Sequence, residues 1–169
     1  MKLQVIDNFF DNYSRIEPEF KKIKLYNLKD FNDEFKDNQE WPGFRSEAIH
    51  QGNPFLFELF LKEFKQKFEM HMPFAVDLYL HLRLGQDQVK DWIHKDLACQ
   101  LGMIIYLTDN LESGTNFYKD NSEVPNTTVN MVKNRAILFD SQTEHKSMLN
   151  FGNSLDDGRL TLNGFVHLK

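Results

Sequence analysis

The chain has a single cysteine, Cys99, among 169 residues. That excludes an intramolecular disulfide framework and suits a reducing compartment. No apolar run is long enough to span a bilayer. The opening stretch, MKLQVIDNFFDNY, puts Asp and Asn where a secretory signal needs an unbroken apolar segment. Excess positive charge is missing as well. With 20 Lys and Arg against 25 Asp and Glu, the formal net charge is −5, so nothing draws the whole chain to nucleic acid or anionic membrane. Repeats, low-complexity tracts and linkers are absent too. Together these absences point to a soluble cytoplasmic protein with no membrane partner, and they leave its oligomeric state open.

What the chain does have is bulky apolar material, with 16 Phe to fill one core in one domain over residues 1–169. Leu3, Val5 and Ile6 predict a short strand, followed by a turn and a helix. Residues 36–53 are polar and read as a loop. Its Trp41-Pro42-Gly43-Phe44 is either a turn tucked against the core or part of a substrate-side lid carrying Arg45. Asn53 followed by Pro54 predicts a helix start, an N-cap and then a residue suited to the first helical position. Leu56, Phe60, Phe64 and Phe68 follow at intervals of four, one apolar stripe for packing on a sheet. From Phe74 the period becomes two. Val76, Leu78, Leu80, Leu82 and Leu84 alternate with Asp77, Tyr79, His81 and Arg83, the pattern of a half-buried strand. Further strands are expected over 103–108, 115–118, 129–132, 136–139 and 160–168, with turns or polar loops at 109–114, 119–126, 133–135 and 150–158. Residues 1–73 are thus helix-rich support and 74–169 a mostly β core, a closed or double-sheet unit backed by helices.

The chemistry centres on Asp91-Trp-Ile-His-Lys-Asp96. On a strand, His94 and Asp96 would point to one face. His145 can supply a third ligand. Two His and one carboxylate around an ion with open positions is the donor set of non-haem Fe(II) oxygenases. On the last strand, Arg159, Thr161 and Asn163 share a face, and an Arg there suits a carboxylate because its planar fork bonds both oxygens. Asn163 is also placed to meet substrate. His81 falls on the polar face of its strand and reads as structural or exposed, as do His50, His71 and His167. Cys99 reads as a small buried side chain.

Taken together, Trp92-Ile-His-Lys-Asp96, Ile105-Tyr-Leu-Thr-Asp109, Gly114-Thr-Asn-Phe117, Asn134-Arg-Ala-Ile-Leu-Phe139, His145 and Arg159-Leu-Thr-Leu-Asn163 resemble the 2-oxoglutarate/Fe(II)-dependent dioxygenases, and most closely their prolyl-4-hydroxylase-like branch. The resemblance spans roughly residues 78–169, and Val5-Ile-Asp-Asn-Phe-Phe10 is similar to the start of that family's N-terminal region. It implies a double-stranded β-helix, or jelly roll, with helices on one sheet. It implies Fe(II) on His94, Asp96 and His145. It implies 2-oxoglutarate as cosubstrate, its distal carboxylate held by Arg159 with help from Tyr106 and with Thr161 beside the arginine. With O2 the reaction would hydroxylate a C–H bond and release succinate and CO2. The 14-residue interval between His145 and Arg159 is longer than the family's usual one, and the extra residues fall in the polar stretch 150–158. Leu84 stands about where the family has a tyrosine. The carboxylate at Asp96 argues against the related halogenases. The expected substrate is a peptide, a protein side chain or a small molecule, bounded by 36–53, 83–92 and 119–126 and with Arg45 on its side; the net acidity disfavours nucleic acid. The competing readings are a non-catalytic, cupin-like metal-binding sensor and a structural jelly roll.

Overall fold

The computed structural model describes residues 3–36, 40–87, 91–119 and 121–169. The elements run, in chain order, β1 (Leu3–Ile6), α1 (Tyr13–Phe20), β2 (Tyr26–Asn27), α2 (Leu28–Phe35), β3 (Phe44–Arg45), α3 (Ile49–Gly52) and α4 (Pro54–Lys67). Then come β4 (Phe74–Arg83), β5 (Leu101–Tyr106), β6 (Asn110–Phe117), β7 (Thr127–Met131), β8 (Ala136–Asp140), β9 (His145–Ser147) and β10 (Arg159–Leu168). They form a seven-stranded sheet, ordered β1-β8-β5-β10-β4-β3-β2, and a three-stranded sheet, ordered β7-β6-β9. Every pairing between these strands is antiparallel.

The period-two pattern explains how the large sheet serves two cores. Met103 and Ile105 of β5 join a cluster with Leu78, Leu80, Leu160, Leu162 and the helical Phe60 and Phe64. Ile104 and Tyr106, pointing the other way, join Phe117, Val129, Met131, Ile137 and Phe139 between the two sheets. One face of the sheet therefore packs with helices and the other with the small sheet, as alternation along a pleated strand requires. The α4 stripe behaves as its spacing predicts: Leu56, Phe60, Phe64 and Phe68 are all buried. Asn53 caps the helix, its side chain accepting from the Leu56 N–H at 3.1 Å.

Several expectations need correction. The 36–53 stretch is not a plain loop: β3 extends the large sheet beyond β4, and α3 follows it. Of the turn expected over 109–114, all but Asp109 belongs to β6, whose pairing with β7 shifts register between Asn110 and Gly114. A bulge there lets the strand bend without ending. The segment holding His94 is not a strand. It makes one isolated bridge, to His145.

Candidate active site

A cavity of about 540 Å³ opens on the face of the large sheet opposite α4. His94, Asp96, His145 and Arg159 all line it, together with Arg45 and Asn163. Tyr106 and Thr161 lie outside the lining. No described residue of 119–126 reaches it, whereas Glu40, Trp41, Asp91 and Trp92 do. Positions 37–39, 88–90 and 120 of the expected rim lie outside the described residues.

The His94 segment is irregular, and it is held in place by contacts at both ends. Asp91 accepts from the buried Arg83 guanidinium and, at 2.8 Å, from Asn150. The Asp96 N–H donates to the Ser141 carbonyl at 3.0 Å, and Ser141 Oγ donates to the Cys99 carbonyl at 2.6 Å. Between these anchors, the His94 and His145 main chains exchange hydrogen bonds of 3.1 and 2.9 Å. That exchange brings the two imidazoles within 4.3 Å of each other, centroid to centroid. Asp96 completes the group, Oδ2 being 3.6 Å from His145 Nε2 and Oδ1 3.9 Å from His94 Nε2. One ligand atom from each residue lies within 4.8 Å of the other two, a spacing that can hold a metal ion.

Both histidines are oriented the same way. His94 Nδ1 lies 3.0 Å from the Trp92 carbonyl oxygen, and His145 Nδ1 lies 3.0 Å from that of Thr143. A carbonyl only accepts, so each Nδ1 carries the proton and each Nε2 keeps its lone pair for the centre of the group. Sequence gave no sign of these partners, because both are backbone atoms two residues upstream. The surroundings of the two rings differ: the His145 side chain is 7% exposed and that of His94 is 41% exposed. Phe139 packs edge-on against His145, centroids 4.7 Å apart. Burial, reinforced by His94 and opposed by Asp96, lowers the His145 pKa below the ordinary imidazole value. An uncharged imidazole is the form that binds metal. Gly102 supplies the room for this packing. A Cβ there would stand 2.5 Å from the Phe139 ring and 3.2 Å from Asp96 Oδ2.

Arg159 sits at the start of β10, 4% exposed. One terminal nitrogen donates to the Gly114 carbonyl at 3.3 Å, and Nε has no partner among the described residues. Gly114 has φ of +149°, and a Cβ would lie 2.1 Å from the Val129 carbonyl oxygen, so the backbone turn beside Arg159 requires glycine. Burial pulls the Arg159 pKa down, yet a guanidinium stays charged. Among the described residues no carboxylate stands within ion-pair distance of it. A buried cation without an anion is costly until a ligand supplies one. Tyr106 neighbours Arg159, but its hydroxyl is within hydrogen-bond reach of Thr115 Oγ1 at 2.8 Å and the Val129 carbonyl at 3.1 Å. Burial pushes that phenol up to about 12. Thr161, fully buried, reaches the His81 carbonyl at 3.4 Å.

Arg45 stacks 4.0 Å above the Tyr79 ring, with Trp41 and Phe165 also around it. His81 is not an exposed strand residue. It lines the cavity between Pro42 and Asn163, and burial pushes its pKa down to about 3. His167 lies at the same wall, 3.0 Å from Asp77. Cys99 is buried, its thiol pushed up to about 11 by desolvation, as a small packing residue would be.

No protein-family model matches the chain, and no curated protein sequence matches it. Solved structures do. An oxidoreductase of the 2OG-Fe(II) oxygenase family from Burkholderia pseudomallei superposes with a TM-score of 0.67 at 11% identity, covering 98% of this chain and 84% of its own. HygX from Streptomyces hygroscopicus, solved with nickel, 2-oxoglutarate and hygromycin B bound, gives 0.61 at 13% identity over 98% of this chain and 82% of its own. A prolyl-4-hydroxylase from Pseudomonas putida gives 0.55 at 14% identity over 99% and 92%. The chain has the fold of 2OG-Fe(II) oxygenase family members: mostly β, with large antiparallel sheets and few helices. Among the described residues no helix is long and apolar enough to cross a membrane.

Proposed function

We propose that this chain is a 2-oxoglutarate- and Fe(II)-dependent dioxygenase that hydroxylates a C–H bond of a peptide, a protein side chain or a small molecule. In this reading the two sheets are the halves of a double-stranded β-helix. Residues 1–169 act as one catalytic unit, in which 1–73 support 74–169 and also lend Trp41 and Arg45 to the cavity. His94 Nε2, Asp96 and His145 Nε2 would hold Fe(II), and Arg159 would take the distal carboxylate of 2-oxoglutarate. Tyr106, behind Thr115, and Thr161, under His81, would hold Arg159's surroundings rigid. Arg45 and Asn163 would face the substrate.

The observation that carries this reading is the pairing of two features in one cavity. Three ligand atoms lie within 4.8 Å of one another, both imidazoles turned by backbone carbonyls, and a buried guanidinium lining the same cavity has an orphaned Nε and, among the described residues, no carboxylate. The first fits a divalent cation that keeps open positions. The second fits a ligand carboxylate. When bound, iron with 2-oxoglutarate and O2 supplies an oxidant able to take hydrogen from a C–H bond, as 2-oxoglutarate becomes succinate and CO2. The chain's own work is positional. Trp92 and Thr143 carbonyls fix the imidazole tautomers, Phe139 keeps water from His145, and Arg159 sets the angle of the diacid.

Fe(II)-dependent release of succinate from 2-oxoglutarate tests the proposal. Turnover is expected in the native protein and is expected to vanish in Asp96→Ala. An Asp96→Ala protein that folds and turns over at the native rate refutes it. Metal-dependent stabilisation by 2-oxoglutarate without any succinate would favour a non-catalytic sensor instead.

A further inference from the structure

The cavity floor carries two opposite charges that the iron and 2-oxoglutarate assignments leave unused, Arg45 and Asp77, and both border the ring of Phe165. Asp77 of β4 stands directly across the ladder from Phe165 of β10. Directly opposed residues show their side chains to the same face of a sheet, so the carboxylate stands beside the ring. Arg45 comes from β3. Its Cζ lies 4.0 Å from the centre of the Tyr79 ring and 5.5 Å from that of Phe165. On its other side Phe165 opposes Gly102 of β5, where a Cβ would lie 3.2 Å from Asp96 Oδ2. Asp77, Phe165 and Gly102 thus form one row over three strands, with Asp77 at one end and Asp96 above the other. Two ladder steps make that row about 10 Å long. Ile104, two residues along β5 from Gly102, lines the same stretch, so the floor between the ends is apolar.

Asp77 is open to a ligand. Its side chain is 50% exposed, and Oδ2 lies 3.0 Å from His167 Nε2. Among the described residues no Lys or Arg pairs with it, and nothing donates to Oδ1. Of the other carboxylates on the lining, Asp91 is bound by Arg83 and Asn150, Asp96 belongs with the two histidines, and Glu40 lies exposed at the rim. A guanidinium stacked by its face, as Arg45 is on Tyr79, bonds through its edge, where its N–H groups form a fork that fits a carboxylate. In this place a cation alone would meet Arg45, and an anion alone would meet Asp77. A ligand that carries both charges answers both. The two protein charges border one ring, so the ligand's charges must also be close, as they are on a single α-carbon.

We propose that Asp77 and Arg45 make this cavity selective for a free α-amino acid with an apolar side chain. Its ammonium pairs with Asp77, its carboxylate with Arg45, and its side chain lies over Phe165 toward Asp96. The inference rests on the proposed function in taking this cavity as the substrate's place, and it narrows the substrate to a zwitterion.

The test is binding, read by ligand-detected NMR on the metal-free protein and on the protein loaded with Mn(II) and 2-oxoglutarate. The probes are leucine, methionine and phenylalanine, each as the free amino acid, the methyl ester, the N-acetyl acid and the N-acetyl methylamide. In both forms of the protein the free amino acid is expected to bind at least about tenfold tighter than either singly blocked form, because each block removes one charge-assisted bond. Asp77→Asn is expected to abolish the preference over the N-acetyl acid and to keep that over the ester. Arg45→Gln is expected to do the reverse, a split that a merely structural role would not produce. An ester or N-acetyl acid that binds as tightly as the free amino acid, tightest binding of the doubly blocked form, no binding of any free amino acid, or loss of both preferences in each variant overturns the proposal. So does a preference seen only with Mn(II) present, which would be chelation. The ratios of the native protein decide the matter even if a variant fails to fold. Thermal stabilisation by 2-oxoglutarate with Mn(II), measured in parallel, reports on the iron assignment separately. Stabilisation without the zwitterion preference removes this inference alone, and the preference without stabilisation removes the other alone.

Discussion

At one end of the cavity Arg159 stands on a strand paired along its whole length with β4 and, from Thr161 to Val166, with β5. At the other, His94 hangs on a single bridge to His145, in a segment where Trp92, Ile93 and Leu97 are all exposed. The two ends face different demands. A buried guanidinium has lost its hydration, so it needs a rigid, pre-formed setting that does not collapse around the missing anion. The metal centre proposed here would need an open side to admit ligands, and a short bridge with anchors at Asp91 and Asp96 would provide one without loss of aim. Rigidity is placed where desolvation is most costly, and irregular backbone where access is required.

Breaking each end separately should produce different failures. His145→Ala removes a proposed ligand and is expected to weaken metal binding by more than the roughly 10–100-fold that loss of a mere supporting partner costs. Arg159→Ala should leave metal binding unchanged. It should raise KM for 2-oxoglutarate by about 10–100-fold, the effect of losing a hydrogen bond to a charged group worth about 1.5–3 kcal/mol. Metal titration beside 2-oxoglutarate saturation curves reads both. If Arg159→Ala loses metal as severely as His145→Ala, the two ends are not independent and the comparison fails.

Acid sharpens the contrast, because both ends contain a histidine held neutral. Burial pushes the His81 imidazole down to about 3 from its ordinary value of about 6.5, and His145 is shifted in the same direction. A depressed imidazole pKa means that the unfolded chain takes up its proton first. Stability of the metal-free protein is therefore complete above about 6.5 and falls as pH drops from there toward the folded values. Urea unfolding at neutral pH and at about pH 5 should show this loss, and His81→Gln should make it smaller. A pH-independent midpoint, or a protein more stable at pH 5, runs against the sign of both shifts.

The sequence made the rigid end far easier to read than the open one. Alternation from Val76 to Arg83 and from Arg159 to Val166 predicts strands, and strands they are, because half-buried pleats impose a period of two. The His94, Asp96 and His145 group was legible as residue types, but the reason given for its geometry, a strand face, was wrong. Backbone contacts with Ser141 and His145 do that work, and they leave no mark in a local pattern. His81, read as structural or exposed, proves to be the enclosed, hydrogen-bonded one of those two alternatives. A polar strand face normally meets water, but here Trp41 and Pro42, brought back by β3, enclose it. Two-residue strands such as β3 are too short for any periodicity to show.

The smallest expected effect lies away from the cavity, and it checks that the larger ones are local. Asn53 is absent from the cavity lining, and its side chain satisfies the Leu56 N–H at the start of α4. Asn53→Ala leaves that donor to water and should cost about 1 kcal/mol of stability, the usual value of an N-cap. The apolar stripe of α4, Leu56 through Phe68, remains in the core on the far face of the large sheet. Metal affinity and 2-oxoglutarate saturation should therefore match the native protein, with only the unfolding midpoint lowered. Were KM for 2-oxoglutarate to rise in Asn53→Ala, the large sheet would be transmitting strain from its helical face to its cavity face. Arg159's rigid setting would then depend on the helix behind it as well as on the ladder beside it.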